Sequence, residues 1–263
     1  MTTMPAVFFG HGSPMNTLER NRHTDAWRAF GAGHPAPRAV LAISAHWYLP
    51  GVAVTAMDQP RTIHDFRGFP PALGEFDYPA PGDPALAARV GELLAPLPVR
   101  MDRDWGLDHG TWSVLAHVYP AADVPVVQLS IDAVRPPRFH YETGRRLAAL
   151  RDEGVLIAAS GNVVHHLGLL RRSEDAAPHP WAADFDARVR AAIEAGDHQP
   201  LIDYPALGDA ARLAVPTPEH YLPLLYVLGA QRAGDRVEFI TQGIELAAIS
   251  MLSFTLGTNR EPG

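Results

Sequence analysis

The chain contains no cysteine at all. This absence excludes disulfide bonds, thiolate nucleophiles, and zinc or iron–sulfur sites with cysteine ligands. Any metal ion must therefore be held by histidine, carboxylate or water. Basic residues are scarce as well: 22 Lys and Arg stand against 29 Asp and Glu, which gives a formal net charge of −7. Because no run of Lys or Arg forms a phosphate-neutralising patch, we predict no nucleic-acid partner.

Long apolar runs are also missing. No stretch approaches the roughly 18 apolar residues of a membrane span, and the first apolar run is too short for a signal peptide. We therefore expect no membrane association and a cytoplasmic protein. With 263 residues, 47% of them hydrophobic, the chain can bury a full core. The absence of repeats and linkers predicts a single domain over residues 1–263.

Short apolar runs alternate with longer helix-like segments along the chain. Strands are predicted over residues 6–9, 38–44, 52–57, 124–131, 155–160, 236–240 and 247–256. Helices are predicted over residues 16–30, 83–97, 109–119, 138–152, 181–195 and 221–228. This alternation predicts an α/β domain with a largely parallel central sheet flanked by helices. The segment 58–82, rich in Pro, Gly and aromatic residues, is long for a loop, and we predict an ordered lid or pocket wall there.

Three histidines each come shortly after the end of a predicted strand: His11, His46 and His165. A fourth, His220, comes just before a predicted helix. In sheets of this kind ligands bind outside the carboxyl ends of the strands, so the first three are expected to converge. Histidine is the commonest metal ligand and transfers protons near neutral pH. The pattern therefore predicts a metal site, with a base beside it, at the carboxyl ends of the strands.

Each of these histidines also has a purely structural interpretation. Gly10-His11-Gly12 could be a tight turn, His46 a core histidine, and Glu219-His220 the start of a helix. His165 and His166 point to opposite sides in an extended segment, and we favour His165 for the site because it comes first after the strand.

Other polar residues are weaker candidates. His109, at a predicted helix start, suits substrate contact or proton transfer, and His64 in the long loop is a weaker case of the same kind. A serine hydrolase is disfavoured because the chain has no Gly-x-Ser-x-Gly motif. Ser44, Ser130 and Ser160 are therefore predicted to be core hydroxyls or hydroxyls behind the site.

Eight short motifs, in order across nearly the whole chain, resemble those of the 4,5-DOPA extradiol dioxygenase family, a branch of the class III extradiol ring-cleaving enzymes. They are Phe9-Gly10-His11-Gly12-Ser13-Pro14-Met15-Asn16, Ser44-Ala45-His46-Trp47, Thr62-Ile63-His64-Asp65-Phe66, Tyr78-Pro79-Ala80-Pro81-Gly82, Asp108-His109-Gly110-Thr111-Trp112, Gln128-Leu129-Ser130-Ile131-Asp132, Ser160-Gly161-Asn162-Val163-Val164-His165 and Pro216-Thr217-Pro218-Glu219-His220-Tyr221-Leu222-Pro223-Leu224. Each motif is weak alone, but the ordered set is specific.

The resemblance implies a non-haem Fe(II) enzyme that cleaves a catechol ring with O2. Its partners would be a small-molecule catechol and O2. With L-DOPA, 4,5-cleavage gives a seco-DOPA that cyclises to betalamic acid. L-DOPA, dopamine, caffeate and other catechols all remain possible substrates, and 4,5- versus 2,3-cleavage and the oligomeric state stay open.

The resemblance also implies roles for individual residues. His11 and His46 match metal ligands, and His165 matches a histidine that is either a further ligand or the acid/base. The wider class has two histidines and one carboxylate as ligands. Here the remaining ligand position falls at Glu219-His220, and either residue could bind. We favour His220 because related members have all-histidine sites, sometimes loaded with zinc.

His165 is the first choice for the group that removes a catechol proton and assists O–O cleavage, and His109 the second. Two rival functions use the same histidines. A zinc-dependent hydrolase would activate water, and a non-catalytic metal-binding protein would need the ligands alone.

Overall fold

The computed structural model describes residues 3–173 and 176–257. Its strands are β1 Ala6–Gly10, β2 Ala39–Leu49, β3 Val52–Thr55, β4 Val99–Asp102, β5 Val126–Asp132, β6 Val155–Gly161, β7 Arg236–Thr241, β8 Ile244–Glu245, β9 Ile249–Ser250 and β10 Ser253–Gly257. Its α-helices are α1 Arg22–Gly33, α2 Pro71–Gly74, α3 Pro84–Leu94, α4 His109–Val118, α5 Pro137–Leu147, α6 Pro180–Ala195, α7 Gln199–Ile202, α8 Asp209–Ala214 and α9 Leu222–Gly229.

Within these residues, eight strands form one sheet in the order β4-β3-β5-β2-β6-β1-β10-β7. The pairs β3–β4, β5–β2, β2–β6 and β6–β1 are parallel, whereas β3–β5, β1–β10 and β10–β7 are antiparallel. The short strands β8 and β9 pair separately. The predicted α/β fold with a mostly parallel central sheet flanked by helices is confirmed.

Both faces of the sheet are buried, which explains the continuous apolar runs of the central strands. Along β1, Ala6 and Phe8 belong to one hydrophobic core, and Val7 and Phe9 belong to the other. Helices α3, α5, α6 and α9 contribute to the first core, whereas α1 and α4 contribute to the second. Among the described residues, no helix is both long and apolar enough to cross a membrane.

Several predicted elements have the wrong bounds, and two of them are instructive. The helix predicted over residues 16–30 begins only at Arg22, because the Asn21 side chain accepts hydrogen bonds from the backbone N–H groups of His23 and Thr24 and caps α1 there. The strand predicted over residues 247–256 is split into β9 and β10, which pair with different partners. Hydrophobic pattern alone shows neither a capping hydrogen bond nor a change of strand partner.

His46 lies within β2 and not after its end as predicted, since β2 continues to Leu49. Its parallel pairing with β6 stops at Ser44, and the register with β5 shifts between Ile43 and Tyr48. The local irregularity leaves His46 at the same sheet edge as the carboxyl ends of β1 and β6.

One buried arginine ties the two ends of the described chain together. The Arg151 side chain is fully buried, and its Nε donates to the Met4 carbonyl at 2.7 Å. Its guanidinium also donates to the carbonyls of Ala230 at 2.8 Å and Leu256 at 3.2 Å, and pairs with Asp235 at 2.5 Å. Every side of the charge is thereby compensated.

Replacing this arginine should therefore destabilise the fold strongly. Arg151→Met leaves the Asp235 carboxylate buried without its partner, and we expect a loss of about 3–5 kcal/mol in the free energy of unfolding. Urea denaturation measures it. Arg145→Met is the matched control, because Arg145 is exposed and pairs with exposed Glu142, so its loss should cost less than about 1 kcal/mol. Equal losses of stability in the two variants would contradict a stabilising role of the buried Arg151–Asp235 pair.

Candidate metal centre and active site

Five histidines meet where the carboxyl ends of the parallel strands β1, β2 and β6 approach the starts of α4 and α9. Their rings lie within 6 Å of at least one neighbour in the group. The five are His11, His46, His109, His165 and His220. The structure thus brings the four histidines predicted for the metal site together with His109, the second candidate for proton transfer.

Backbone contacts at the end of β6 place two of these histidines. The His11 N–H donates to the Gly161 carbonyl at 3.2 Å, and the Asn162 N–H donates to the His220 carbonyl at 2.8 Å. A Cβ at position 161 would lie 2.2 Å from the His220 oxygen, so only glycine permits this approach. The segment before α9 is therefore held directly against the end of the sheet.

Three of the rings form a nearly regular triangle. Ring centroids are 5.2 Å apart for His11–His46, 5.1 Å for His46–His220 and 5.5 Å for His11–His220. Metal–nitrogen bonds of about 2.1 Å put centroids about 4.5–5.3 Å apart when three imidazoles share one ion at angles between octahedral and tetrahedral. Two of the three separations fall in this range and the third, His11–His220, exceeds it by about 0.2 Å, so a small movement of the rings would let them share an ion.

His109 is close to the same centre but is placed less evenly. One nitrogen each from His11, His46 and His109 lies within 4.8 Å of the others. The His109 ring, however, is 3.9 Å from that of His46 and 5.9 Å from that of His11. From this position His109 can either contribute a ligand atom or contact a molecule that binds beside the ion.

Hydrogen-bond partners outside the centre fix the orientation of the rings. Ser160 Oγ lies 2.8 Å from Nδ1 of His11, and Asp65 Oδ2 lies 3.1 Å from Nδ1 of His46. The two Nε2 atoms then face each other at 3.4 Å. Such outer partners are typical of metal-binding histidines, because they fix the tautomer and the ring direction.

Asp65 also holds a second histidine. Its Oδ1 lies 2.9 Å from Nδ1 of His109 and accepts from the His109 backbone N–H at 3.0 Å. Burial alone would raise the pKa of Asp65, but hydrogen bonds to His109 and His46 outweigh it and hold that pKa well below its usual range.

Glu219 stands behind His220 in the same manner. Its Oε1 accepts from the Thr217 hydroxyl at 2.7 Å and lies 3.2 Å from Nδ1 of His220. This carboxylate is therefore engaged on the outer side of the His220 ring.

His165 lies flat against His220, with ring centroids 3.5 Å apart and planes inclined by only 7°. The nitrogen lone pairs of two stacked rings lie in nearly parallel planes, so the two rings do not both point at one ion. The neighbouring His166 lies elsewhere, with its ring 6.0 Å from that of Trp181. The extended backbone separates the two side chains as predicted.

Burial keeps most of these imidazoles neutral. It lowers the pKa of His11 and His220 far below the ordinary value, and neighbouring histidines lower both further. It also lowers the pKa of His109, and that of His165 to about 4. Burial lowers the pKa of His46 too, but Asp65 and nearby carboxylates outweigh it and raise the net value. Neutral imidazole is the form that binds a metal ion, so the donor set fits a divalent cation.

The segment after residue 58 forms an ordered wall beside the histidines, as predicted. The Trp112 indole donates to the Ile63 carbonyl at 2.8 Å, and the Ile63 N–H donates to the Leu107 carbonyl at 2.7 Å. The Phe66 ring lies 5.5 Å from His109. His64, the weaker candidate, is exposed, and its Nε2 lies 2.8 Å from the Phe76 carbonyl, outside the group of five.

The sequence reasoning missed the role of Asp65. By residue type alone, Asp65 does not differ from Asp58 or Asp77 of the same predicted loop segment. Its partner His109 is 44 positions away. The available signal was its place directly after His64, in a motif rich in aromatic residues.

The chain is similar to known proteins of one family. Residues 7–257 match the family described as the catalytic LigB subunit of aromatic ring-opening dioxygenase. The chain is 52% identical to the 4,5-DOPA dioxygenase extradiol of Escherichia coli K12 over 97% of this chain and 96% of that protein. It is 39% identical to the Beta vulgaris protein of the same name, over 89% of each chain. The crystal structure of an uncharacterized Escherichia coli K12 protein superimposes with a TM-score of 0.85 at 48% identity, covering 97% of this chain and 100% of that chain.

Gly110 offers a test of how tightly the centre is packed. A Cβ at this position in α4 would lie 2.4 Å from Ser44 Oγ and 2.8 Å from Cδ2 of His46. Gly110→Ala should therefore displace the His46 ring and weaken Zn(II) binding roughly tenfold or more. Competition with a chromophoric chelator measures the affinity. Gly91→Ala is the control, because its Cβ meets only the end of the Met101 side chain. Unchanged affinity in Gly110→Ala would show that the packing is not limiting.

Proposed function

This chain belongs to the family of the catalytic LigB subunit of aromatic ring-opening dioxygenases, and from that premise we propose that it is a non-haem Fe(II)-dependent extradiol dioxygenase of catechols. The observation that carries the proposal is the triangle of His11, His46 and His220 with sides of 5.1–5.5 Å, beside which the further histidine His165 stacks. Three ligands on one side of an ion leave the opposite positions for a catechol and O2.

We favour His220 over Glu219 as the third ligand. Supporting this choice, the Glu219 carboxylate lies at Nδ1 of His220 and bonds Thr217, whereas the His220 ring completes the triangle. Glu219 then orients His220, as Asp65 orients His46 and Ser160 orients His11.

We assign the proton transfers to His165 and, after it, to His109. Stacking on His220 places the His165 ring next to the ion without giving it a convergent lone pair. A group in that position accepts a proton from a catechol hydroxyl and returns it to oxygen during ring opening. His109, held by Asp65 and lying 3.9 Å from the His46 ring, contacts the substrate from the other side.

Iron supplies the redox chemistry that lets O2 react with the ring, whereas Zn(II) can occupy the same ligands without that chemistry. The protein itself holds the catechol. Phe66, backed by the buried Trp112 ring 6.0 Å away, forms the apolar wall beside His109. This wall orients an aromatic substrate and limits the access of water.

The proposed substrate is L-DOPA, cleaved at the 4,5 position to seco-DOPA, which cyclises to betalamic acid. The names of the Escherichia coli and Beta vulgaris relatives support this choice. Dopamine and caffeate are the alternatives to compare. The predictions of one domain over residues 1–263 and of a cytoplasmic location stay predictions.

Anaerobic reconstitution tests the function. The purified protein is loaded with Fe(II), mixed with L-DOPA, and then exposed to air while O2 uptake and absorbance are recorded. We expect O2 consumption together with a growing yellow absorbance. The Zn(II)-loaded protein should consume no O2. If fully iron-loaded protein turns over none of a panel of catechols, the proposal is wrong. Hydrolysis of an ester or amide panel by the zinc form would instead favour the rival hydrolase.

Substitutions separate the base from the ligand. His165→Gln should retain iron yet lose about 10²–10⁴-fold in kcat, the usual contribution of a positioned acid or base. His220→Gln should lose the iron itself. Metal analysis alongside O2 uptake distinguishes these outcomes. His166→Gln is the matched control and should keep both properties, because its ring lies beside Trp181. Iron loss in His165→Gln would make His165 a ligand.

A further inference from the structure

Asp65 joins three parts of the fold through a single carboxylate. It belongs to the loop between β3 and α2, and its two oxygens reach His46 in β2 at 3.1 Å and His109 at the start of α4 at 2.9 Å. The side chain is 19% exposed, so these hydrogen bonds are largely shielded from water. A change in the position of either histidine therefore changes the hydrogen bonds that hold this loop.

The residues after Asp65 are the exposed part of the wall. Arg67, Gly68 and Phe69 are all exposed, whereas the stretch before Asp65 is pinned by the bonds of Ile63 to Trp112 and Leu107. Phe66 contacts His109 and Phe69 through edge-on ring contacts at 5.5 Å and 5.4 Å. Asp65 thus stands at the junction between the anchored and the exposed parts of the loop.

We propose that Asp65 is a positioning residue through which metal binding at His46 orders the wall formed by residues 65–69. This inference rests on the proposed metal site and adds a coupling between that site and the substrate-facing loop. A metal ion on Nε2 of His46 fixes the proton on Nδ1, which then donates to Asp65. Because coupling between two sites is reciprocal, the carboxylate that favours an ordered loop also favours metal binding.

The direction of the hydrogen bonds makes Asp65→Asn a sharp probe. A carboxylate accepts from both histidines, whereas an amide offers one acceptor and one donor. If the amide oxygen keeps the His109 bonds, its NH2 group faces Nδ1 of His46. His46 then either leaves that contact or moves its proton to Nε2, where a metal would bind. Both responses oppose metal binding without removing any ligand.

Titration with Co(II), followed by its absorption, tests the coupling without reference to activity. We expect Asp65→Asn and Asp65→Ala to bind Co(II) about 10–100-fold more weakly than the unsubstituted protein. Asp77→Asn is the matched control, since Asp77 lies just after α2 and accepts a hydrogen bond from the Thr62 hydroxyl at 2.5 Å instead of contacting a histidine. It should bind Co(II) within about twofold of the unsubstituted protein. Melting of the metal-free proteins checks that each variant is folded.

Limited trypsin digestion reads the loop itself. Cleavage at the Arg67–Gly68 bond, followed by mass spectrometry, should slow at least fivefold when Co(II) is added to the unsubstituted protein. Cleavage at Arg20–Asn21, an exposed reference site before α1, should not change. In Asp65→Asn saturated with Co(II), the protection at Arg67 should be lost.

The outcomes separate this inference from the proposed function. Unchanged Arg67 cleavage on Co(II) binding, or equal Co(II) affinity in the Asp65 variants and the unsubstituted protein, overturns the coupling and leaves the dioxygenase proposal intact. The cleavage test is made on the unsubstituted protein alone, so it does not depend on whether a variant folds. Failure of the unsubstituted protein to bind Co(II) overturns both.

Discussion

Packing five imidazoles at one buried edge of a sheet requires most of them to be neutral and each to point in a set direction. Desolvation supplies the neutrality, since burial is the largest influence lowering the pKa of His11, His165 and His220. Direction comes from groups outside the ring: Ser160 and the carboxylates of Asp65 and Glu219 engage Nδ1 atoms. These hydrogen bonds leave Nε2 of His11 and Nε2 of His46 facing each other at 3.4 Å.

The sheet brings these residues together from distant parts of the chain. Parallel strands β1, β6 and β2 end at the same edge, so their histidines meet although they are far apart in sequence. Glycines allow the close approaches: Gly161 admits the His220 carbonyl, and Gly110 admits the His46 ring. The loop beside the histidines carries both Asp65, which contacts His46 and His109, and Phe66, whose ring lies 5.5 Å from His109.

Much of this was predictable from residue order. The alternation of apolar runs with helical segments indicated the α/β sheet, and α3 begins within one residue of its predicted start, with Asp83 as its N-cap and Pro84 as its first residue. His11, His46, His165 and His220 were expected at one edge and are found there. The start of α1 was missed although Asn21 is a preferred N-cap residue. The division of the last strand and the position of His46 within β2 were not predictable, because they depend on strand partners that periodicity does not encode.

By itself, the sequence determined the fold class, the exclusion of cysteine chemistry and the set of histidines at the strand ends, because these follow from composition and local pattern. Only the tertiary structure decided how the histidines are arranged around one another. His220 completes a triangle with His11 and His46, while His165 stacks flat against it and Asp65 clamps His109 to His46. The physical reason is that metal binding depends on the direction of a nitrogen lone pair, and ring direction is set by contacts between residues far apart in the chain.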